Sequence, residues 1–112
     1  MTQAGVDFES RRWDDQSYSQ IQFRGCHIGS TYSLPDNVDV QMWRDITALP
    51  DDSYDNKTFS ACFKGQTSNG EWNDLPGSTV SVYFQIMKLG GSTSSGPYID
   101  VDNVSVDTTK AD

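Results

Sequence analysis

The chain has 112 residues, which suits one domain and leaves no room for a second core. Its 16 acidic and 8 basic side chains give a net charge of −8, which excludes phosphate backbones and anionic membrane surfaces as natural partners. No apolar run approaches the roughly 20 residues needed to span a bilayer, so we expect one folded domain with no membrane insertion.

Apolar and polar residues alternate repeatedly along the chain, as they do in strands that bury one face. In chain order, strands are predicted near residues 6–9, 18–23, 38–42, 58–63, 79–87 and 98–106. Turns rich in Gly, Pro, Asn and Asp separate these runs. About seven short strands predict an all-β fold, an antiparallel β-sandwich of jelly-roll or Greek-key type. Residues 1–4 and 108–112 are expected to be frayed.

The alternation also predicts which side chains face the core. The run 79–87 is the clearest, with its even-numbered apolar residues inward and Tyr83 and Gln85 outward. Val38, Val40 and Met42 are expected to share one inward face, and so are Phe59, Ala61 and Phe63.

Apolar positions in the last predicted strand move from Ile99 and Val101 to Val104 and Val106, which predicts a bulge near residues 102–103. Residues 51–56 are interpreted as an acidic solvated loop and 69–74 as a turn.

Two cysteines, Cys26 and Cys62, are present. Their separation matches no zinc or thioredoxin pattern, and His27 is the only histidine that could assist a metal. They form either a structural disulfide or two unrelated buried thiols, and the composition favours the disulfide. A disulfide predicts a secreted, extracellular protein whose signal peptide has been removed, since no apolar leader segment follows Met1.

Catalytic machinery is not recognisable in the sequence. A nucleophile needs an imidazole beside it, and His27 directly follows a predicted half-cystine that could not itself act as a nucleophile. Sixteen acids make chance carboxylate pairs certain, so such pairs do not indicate glycoside hydrolysis. We expect a protein that is not an enzyme and has no catalytic residues.

The tryptophans are the candidate ligand-binding residues, because an exposed ring beside Asp, Asn and Gln suits the C–H face of a sugar. Trp72 lies in the predicted turn, and Trp13 and Trp43 lie next to polar residues. Tyr83 and Gln85 form a second candidate surface. The alternative is that each tryptophan closes one end of a thin core.

Oxygen ligands for calcium are concentrated in the last predicted strand, at Asp100, Asp102, Asn103 and Asp107. Asp7 and Glu9 stand near the other terminus. The spacing lacks the glycine and distal glutamate of an EF-hand. A structural calcium ion joining the two ends is one interpretation, and an ordinary polar strand face is the other; no cofactor is required.

The segments Val6-Asp7-Phe8-Glu9-Ser10 and Tyr98-Ile99-Asp100-Val101-Asp102-Asn103-Val104-Ser105-Val106 resemble the two ends of jelly-roll carbohydrate-binding modules. The resemblance implies that the ends lie together and hold a structural calcium. It assigns Glu9 and either Asp100 or Asp102 as ligands. It also implies a carbohydrate ligand.

Tyr18 to Gly25 resembles the aromatic-x4-aromatic-x-Gly motif of βγ-crystallin-type Greek keys. The second copy, ending at Phe63-Lys64-Gly65, has Thr58 where the first aromatic belongs, and the calcium box of that family is absent. The overall composition is similar to that of small secreted actinobacterial β-sandwich proteins.

These observations together predict an extracellular, non-catalytic binding protein, with a glycan as the favoured ligand. The alternative is a secreted domain that binds a protein, as an enzyme inhibitor or as an adaptor subunit of an extracellular complex.

Overall fold

The computed structural model describes residues 1–107, so the fraying expected for residues 108–112 lies outside the described residues. Within this range the chain forms one 3₁₀ turn (Ala61–Lys64) and eight strands. The strands are β1 (Ala4–Gly5), β2 (Trp13–Asp15), β3 (Ser19–Gly29), β4 (Val38–Arg44), β5 (Asp52–Phe59), β6 (Thr67–Trp72), β7 (Val80–Leu89) and β8 (Tyr98–Asp107). The predicted all-β sandwich is confirmed, with eight strands rather than about seven.

The strands form two antiparallel sheets of four. Sheet A has the order β1-β8-β3-β6, and sheet B has the order β2-β7-β4-β5. The chain therefore pairs its strands in a nested way: first with eighth, second with seventh, third with sixth and fourth with fifth. Such an antiparallel ribbon, rolled into two facing layers, is a jelly roll.

The core lies between the two sheets and is filled by side chains from every second strand position. In sheet B, Val38, Val40 and Met42 of β4 are fully buried, as their spacing predicts, and so are Val82 and Ile86 of β7. An aromatic cluster joins the layers. The Phe23 ring of sheet A packs edge-on against Phe59 and Phe84 of sheet B, with ring centroids 5.1 Å and 5.5 Å apart.

Cys26 and Cys62 form the predicted disulfide. It links β3 to the 3₁₀ turn that leads from β5 of sheet B to β6 of sheet A, and both cysteines are buried. The Cys62 amide donates a hydrogen bond to the Ser68 hydroxyl at 2.8 Å, which holds the turn against β6.

The apolar face of β8 changes near Asp102, as its sequence indicates, but the bulge predicted there is wrong. The pairing of β8 with β3 keeps one register from Gln20↔Asp107 to Gly29↔Tyr98, so no extra residue is inserted. Instead, both strands change face together where Gly25 lies opposite Asp102. Gly25 has a φ of +70°, and a Cβ there would lie 2.3 Å from the Asp102 carboxylate.

The amino-terminal residues 1–4, for which fraying is predicted, lie against β8. The Met1 ammonium donates to the Val101 carbonyl at 3.0 Å, and Ala4 is buried. The short strand is β1 at Ala4–Gly5, so the prediction of a strand at residues 6–9 is wrong. There the chain leaves sheet A and runs along β7 of sheet B, where the Asp7 amide donates to the Ile86 carbonyl.

Three predictions between residues 51 and 74 are also wrong. Residues 52–56 of the expected acidic loop belong to β5, and the strand expected at residues 58–63 ends at Phe59 and is followed by the 3₁₀ turn. The expected turn 69–74 is mostly β6. Among residues 1–107, no helix is long and apolar enough to cross a membrane.

Candidate functional site

Three of the predicted ligand residues share the outer face of sheet B. Trp43 of β4 lies directly opposite Tyr83 of β7, and Gln85 follows two positions along β7. Trp43 is half-buried, and Tyr83 is only 3% exposed. Gln85 donates its side-chain amide to the Asp7 carbonyl. The structure thus brings these residues together but does not offer two open rings.

The Tyr83 ring is covered by an arginine. The guanidinium carbon of Arg12 lies 3.8 Å from the ring centroid, and Glu9 and Asp45 hold Arg12 there through ion pairs of 3.1 Å. The Tyr83 hydroxyl donates to Asp51 Oδ2 at 2.6 Å. Burial and this hydrogen bond raise the pKa of Tyr83. The same bond, with one from the Ile46 amide, lowers the pKa of Asp51.

The substitution Tyr83→Phe should lower the melting temperature at pH 7, and the difference from wild type should shrink as the pH falls below about 4. A carboxyl whose pKa is lowered by folding stabilises the fold above its unfolded pKa, and this stabilisation is lost as the pH falls through the folded pKa. Thermal denaturation at several pH values measures the effect. Tyr32→Phe at an exposed position is the control. If the difference in melting temperature between Tyr83→Phe and wild type stayed constant with pH, the stabilising role of the Tyr83–Asp51 hydrogen bond would be contradicted.

The other two candidate tryptophans do not lie on this surface. Trp13 of β2 turns between the layers, and its indole N–H donates to the Ser19 hydroxyl at 3.2 Å. Trp72 is only 1% exposed, and its indole N–H donates to the Asp55 carbonyl at 2.7 Å. The interpretation of Trp72 as an exposed ligand-binding ring is therefore wrong, because it is a core residue of β6.

The expected calcium ligands are distributed over both sheets. The backbone of Glu9 forms an isolated β-bridge with Gln85 of sheet B, and its carboxylate forms an ion pair with Arg12. Asp100 and Asp102 lie on β8 of sheet A, and Asp100 accepts a hydrogen bond of 2.7 Å from the backbone amide of Gln3. Ala4 and Gly5 of β1 do pair with Ile99 and Tyr98 of β8. Within residues 1–107, however, no group of three acidic, His or Cys side chains is placed to hold a metal, and the calcium site stays a prediction.

His27 lies exposed on the outer face of β3, opposite Asp100. The adjacent Cys26 is oxidised and buried, so it offers no thiolate. No hydrogen bond joins His27 to a hydroxyl or carboxylate in the described part of the chain. The geometry of a nucleophile beside a base is therefore not formed at this position.

A different surface gathers polar side chains on the outer face of sheet A. There β6, β3 and β8 lie side by side, and the strand register aligns their outward residues in rows of three. Neighbours are about 4.8 Å apart across the strands and about 7 Å apart along them. We call this array the polar grid; its rows are Thr67–Arg24–Asn103, Asn69–Gln22–Ser105 and Glu71–Gln20–Asp107.

Five side chains of the polar grid have no hydrogen bond or ion pair to another described residue. They line a shallow recess of about 330 Å³ and are Gln22, Arg24, Thr67, Asn103 and Ser105. At the other end the side chains are bonded to the middle row, because Gln20 donates to Asn69 and Asn69 donates to Glu71. The grid thus presents free amides, hydroxyls and one guanidinium, with its two carboxylates at the far end.

Tyr18 lies at the acidic end of the polar grid. Its side chain is 6% exposed, and its hydroxyl is buried without a hydrogen-bond partner in the described structure. Burial, followed by the charges of Glu71 and Asp107, raises the pKa of Tyr18. The Tyr18 hydroxyl therefore stays protonated at neutral pH.

The polar grid is absent from the sequence-based candidates. Alternating polar residues at 20, 22 and 24, at 67, 69 and 71, and at 103, 105 and 107 are visible in the sequence. Only the strand order of sheet A shows that these three runs are neighbours.

Comparison with known proteins gives no match to a family model, to a curated protein or to a solved structure. The site therefore has to be interpreted from its own geometry.

Proposed function

We propose that this chain is an extracellular, non-catalytic domain that binds carbohydrate on the polar grid of sheet A. The observation that carries the proposal is the set of five unpartnered polar side chains supplied by three adjacent strands. Amides and hydroxyls both donate and accept hydrogen bonds, which is what a ligand with many hydroxyl groups requires.

Rigidity also supports this function. The grid residues belong to regular strands of one sheet, and the disulfide anchors β3 beside them. Because the backbone of these strands is already ordered, binding a ligand costs side-chain freedom but little backbone freedom, which favours measurable affinity. The disulfide favours an extracellular location, where such bonds persist.

Charge favours a neutral ligand. Arg24 stands at one end of the grid and the carboxylates of Glu71 and Asp107 at the other, while the middle row carries only amides and a hydroxyl. The net charge of −8 opposes acidic polysaccharides. Neutral glucans, xylans, mannans and chitin oligosaccharides are therefore the classes to test.

The test is a glycan array followed by calorimetry with the best neutral oligosaccharide. The double variant Gln22→Ala/Asn103→Ala should bind at least about tenfold more weakly, because it removes several hydrogen bonds of about 1 kcal/mol each. Asn56→Ala is the matched control, since Asn56 is an exposed strand asparagine on the other sheet.

Two results would contradict the proposal. One is that the wild-type domain binds none of the arrayed neutral glycans. The other is that Gln22→Ala/Asn103→Ala binds like wild type while Trp43→Ala abolishes binding, which would move the site to the outer face of sheet B.

A further inference from the structure

One side of the sandwich is open, and an apolar cleft of about 480 Å³ lies there between the two sheets. Val104 and Val106 of β8 form its wall on sheet A. Phe8, Trp13 and Phe84 form its wall on sheet B. Phe8 and Val106 are 37% and 40% exposed, so apolar surface at the mouth of the cleft remains in water.

The cleft exists because the amino-terminal segment covers only part of the edge of sheet A. Ala4 and Gly5 pair with Ile99 and Tyr98, and Met1 exchanges two backbone hydrogen bonds with Val101. The chain then crosses to sheet B. Among residues 1–107, no strand lies beside β8 on this side from Asp102 to Val106.

An uncovered strand edge carries backbone donors and acceptors in a fixed pattern. The amide and carbonyl of Val101 both point to Met1 on the open side. In an antiparallel sheet, every second residue directs its backbone groups to the same neighbour. Because β8 changes face at Asp102, this alternation starts again beyond it. Val104 and Val106, which face the core side as Val101 does, are there the residues whose backbone groups point to the open edge, directly above the apolar cleft.

Charge at the cleft differs from that of the whole chain. Two arginines, Arg11 and Arg12, line it in a protein of net charge −8. Arg12 is held by Glu9 and Asp45, whereas Arg11 is exposed and has no ion pair within the described residues. The mouth of the cleft is thus suited to a carboxylate.

We propose that this edge binds an extended segment of a partner protein, which joins sheet A as a further strand beside β8. Alternate apolar side chains of the segment would fill the cleft, and an acidic side chain would reach Arg11. The occupant is a foreign segment and not a second copy, because two chains of charge −8 repel each other. This protein-binding role is separate from glycan binding on the polar grid.

Synthetic peptides test the proposal directly. The probes are acetyl-Glu-Val-Thr-Val-Ser-Val-Thr-amide and the peptide of reversed sequence, titrated into ¹⁵N-labelled protein. With one of the two peptides, we expect the backbone amide NMR signals of residues 101–107 and 8–13 to shift and to reach saturation. Arg11→Glu and Val106→Lys should each weaken binding at least about tenfold. Asn56→Ala, which changes an exposed asparagine of β5 in the other sheet, should bind the peptide like wild type.

Backbone N-methylation separates strand addition from simple filling of a cleft. A peptide strand pairs with β8 through every second residue, so methylating one alternate set of amides should abolish binding and methylating the other should not. Equal effects of the two sets, or absence of shifts with both peptides, would overturn the proposal. A dimer in sedimentation experiments that Val106→Lys dissociates would also overturn it, because the occupant would then be a second copy.

Discussion

Replacing Trp72 by alanine should lower the free energy of unfolding by about 3–5 kcal/mol, which is the usual loss for a large buried aromatic. The side chain is 1% exposed, and its removal leaves both a cavity in the core and the Asp55 carbonyl without the indole donor. Urea denaturation followed by far-ultraviolet circular dichroism measures the change.

Two matched variants separate these contributions. Trp72→Phe keeps an aromatic ring but loses the hydrogen bond, and it should lower the free energy of unfolding by less than Trp72→Ala does. Trp43→Ala changes a half-buried tryptophan on the outer face of sheet B and should also be milder. A loss below about 1 kcal/mol for Trp72→Ala would mean that the residue is not a core residue.

Removing the disulfide by the double substitution Cys26→Ala/Cys62→Ala should lower the free energy of unfolding by about 3–4 kcal/mol. The bond closes a loop over a sequence separation of 36, and the loss of that constraint enlarges the unfolded ensemble. For a domain of this size the melting temperature should fall by about 10–20 °C.

Wild-type protein treated with a reductant is the control, and it should match the double variant once both thiols are free. Native protein that already contains two titratable thiols would exclude the disulfide. Melting that is insensitive to reductant would contradict its role in stability.

Sheet B shows where sequence-based reasoning succeeds. β4 and β7 are its two central strands, with one face in the core and the other outward. The burial constraint applies at every second position, so Val38, Val40, Met42, Val82 and Ile86 give a clear pattern. The disulfide is likewise predictable from the sequence, because only two cysteines are present.

β5 and β6 could not be found in the same way. β5 is an edge strand with mostly exposed or partly exposed residues, so Asp52 and Asp55 are tolerated and the segment has the composition of a loop. β6 buries Ser68, Gly70 and Trp72, which do not form an apolar stripe. A Cβ on Gly70 would lie 2.8 Å from the Phe59 ring, so close packing requires glycine there.

The binding surfaces were the least predictable part of the molecule. An exposed tryptophan ring suits a sugar, but Trp13 and Trp72 pack in or against the thin core, and Arg12 covers Tyr83. The polar grid and the cleft depend on which distant strands become neighbours. That information lies in the pairing of β3 with β8 and in the crossing of the amino-terminal segment, which no local pattern encodes.

The nested strand order has a consequence for biosynthesis. The hairpin of β4 and β5 can form as soon as residue 59 is made, but β8, a central strand of sheet A, comes only from residues 98–107, after the other three strands of that sheet. Sheet A therefore cannot be completed before residue 107 is made, and closure of the long outer loops makes folding slow. Until then β1 has no partner strand and one edge of β3 stays unpaired, so an incomplete chain exposes strand edges that favour aggregation.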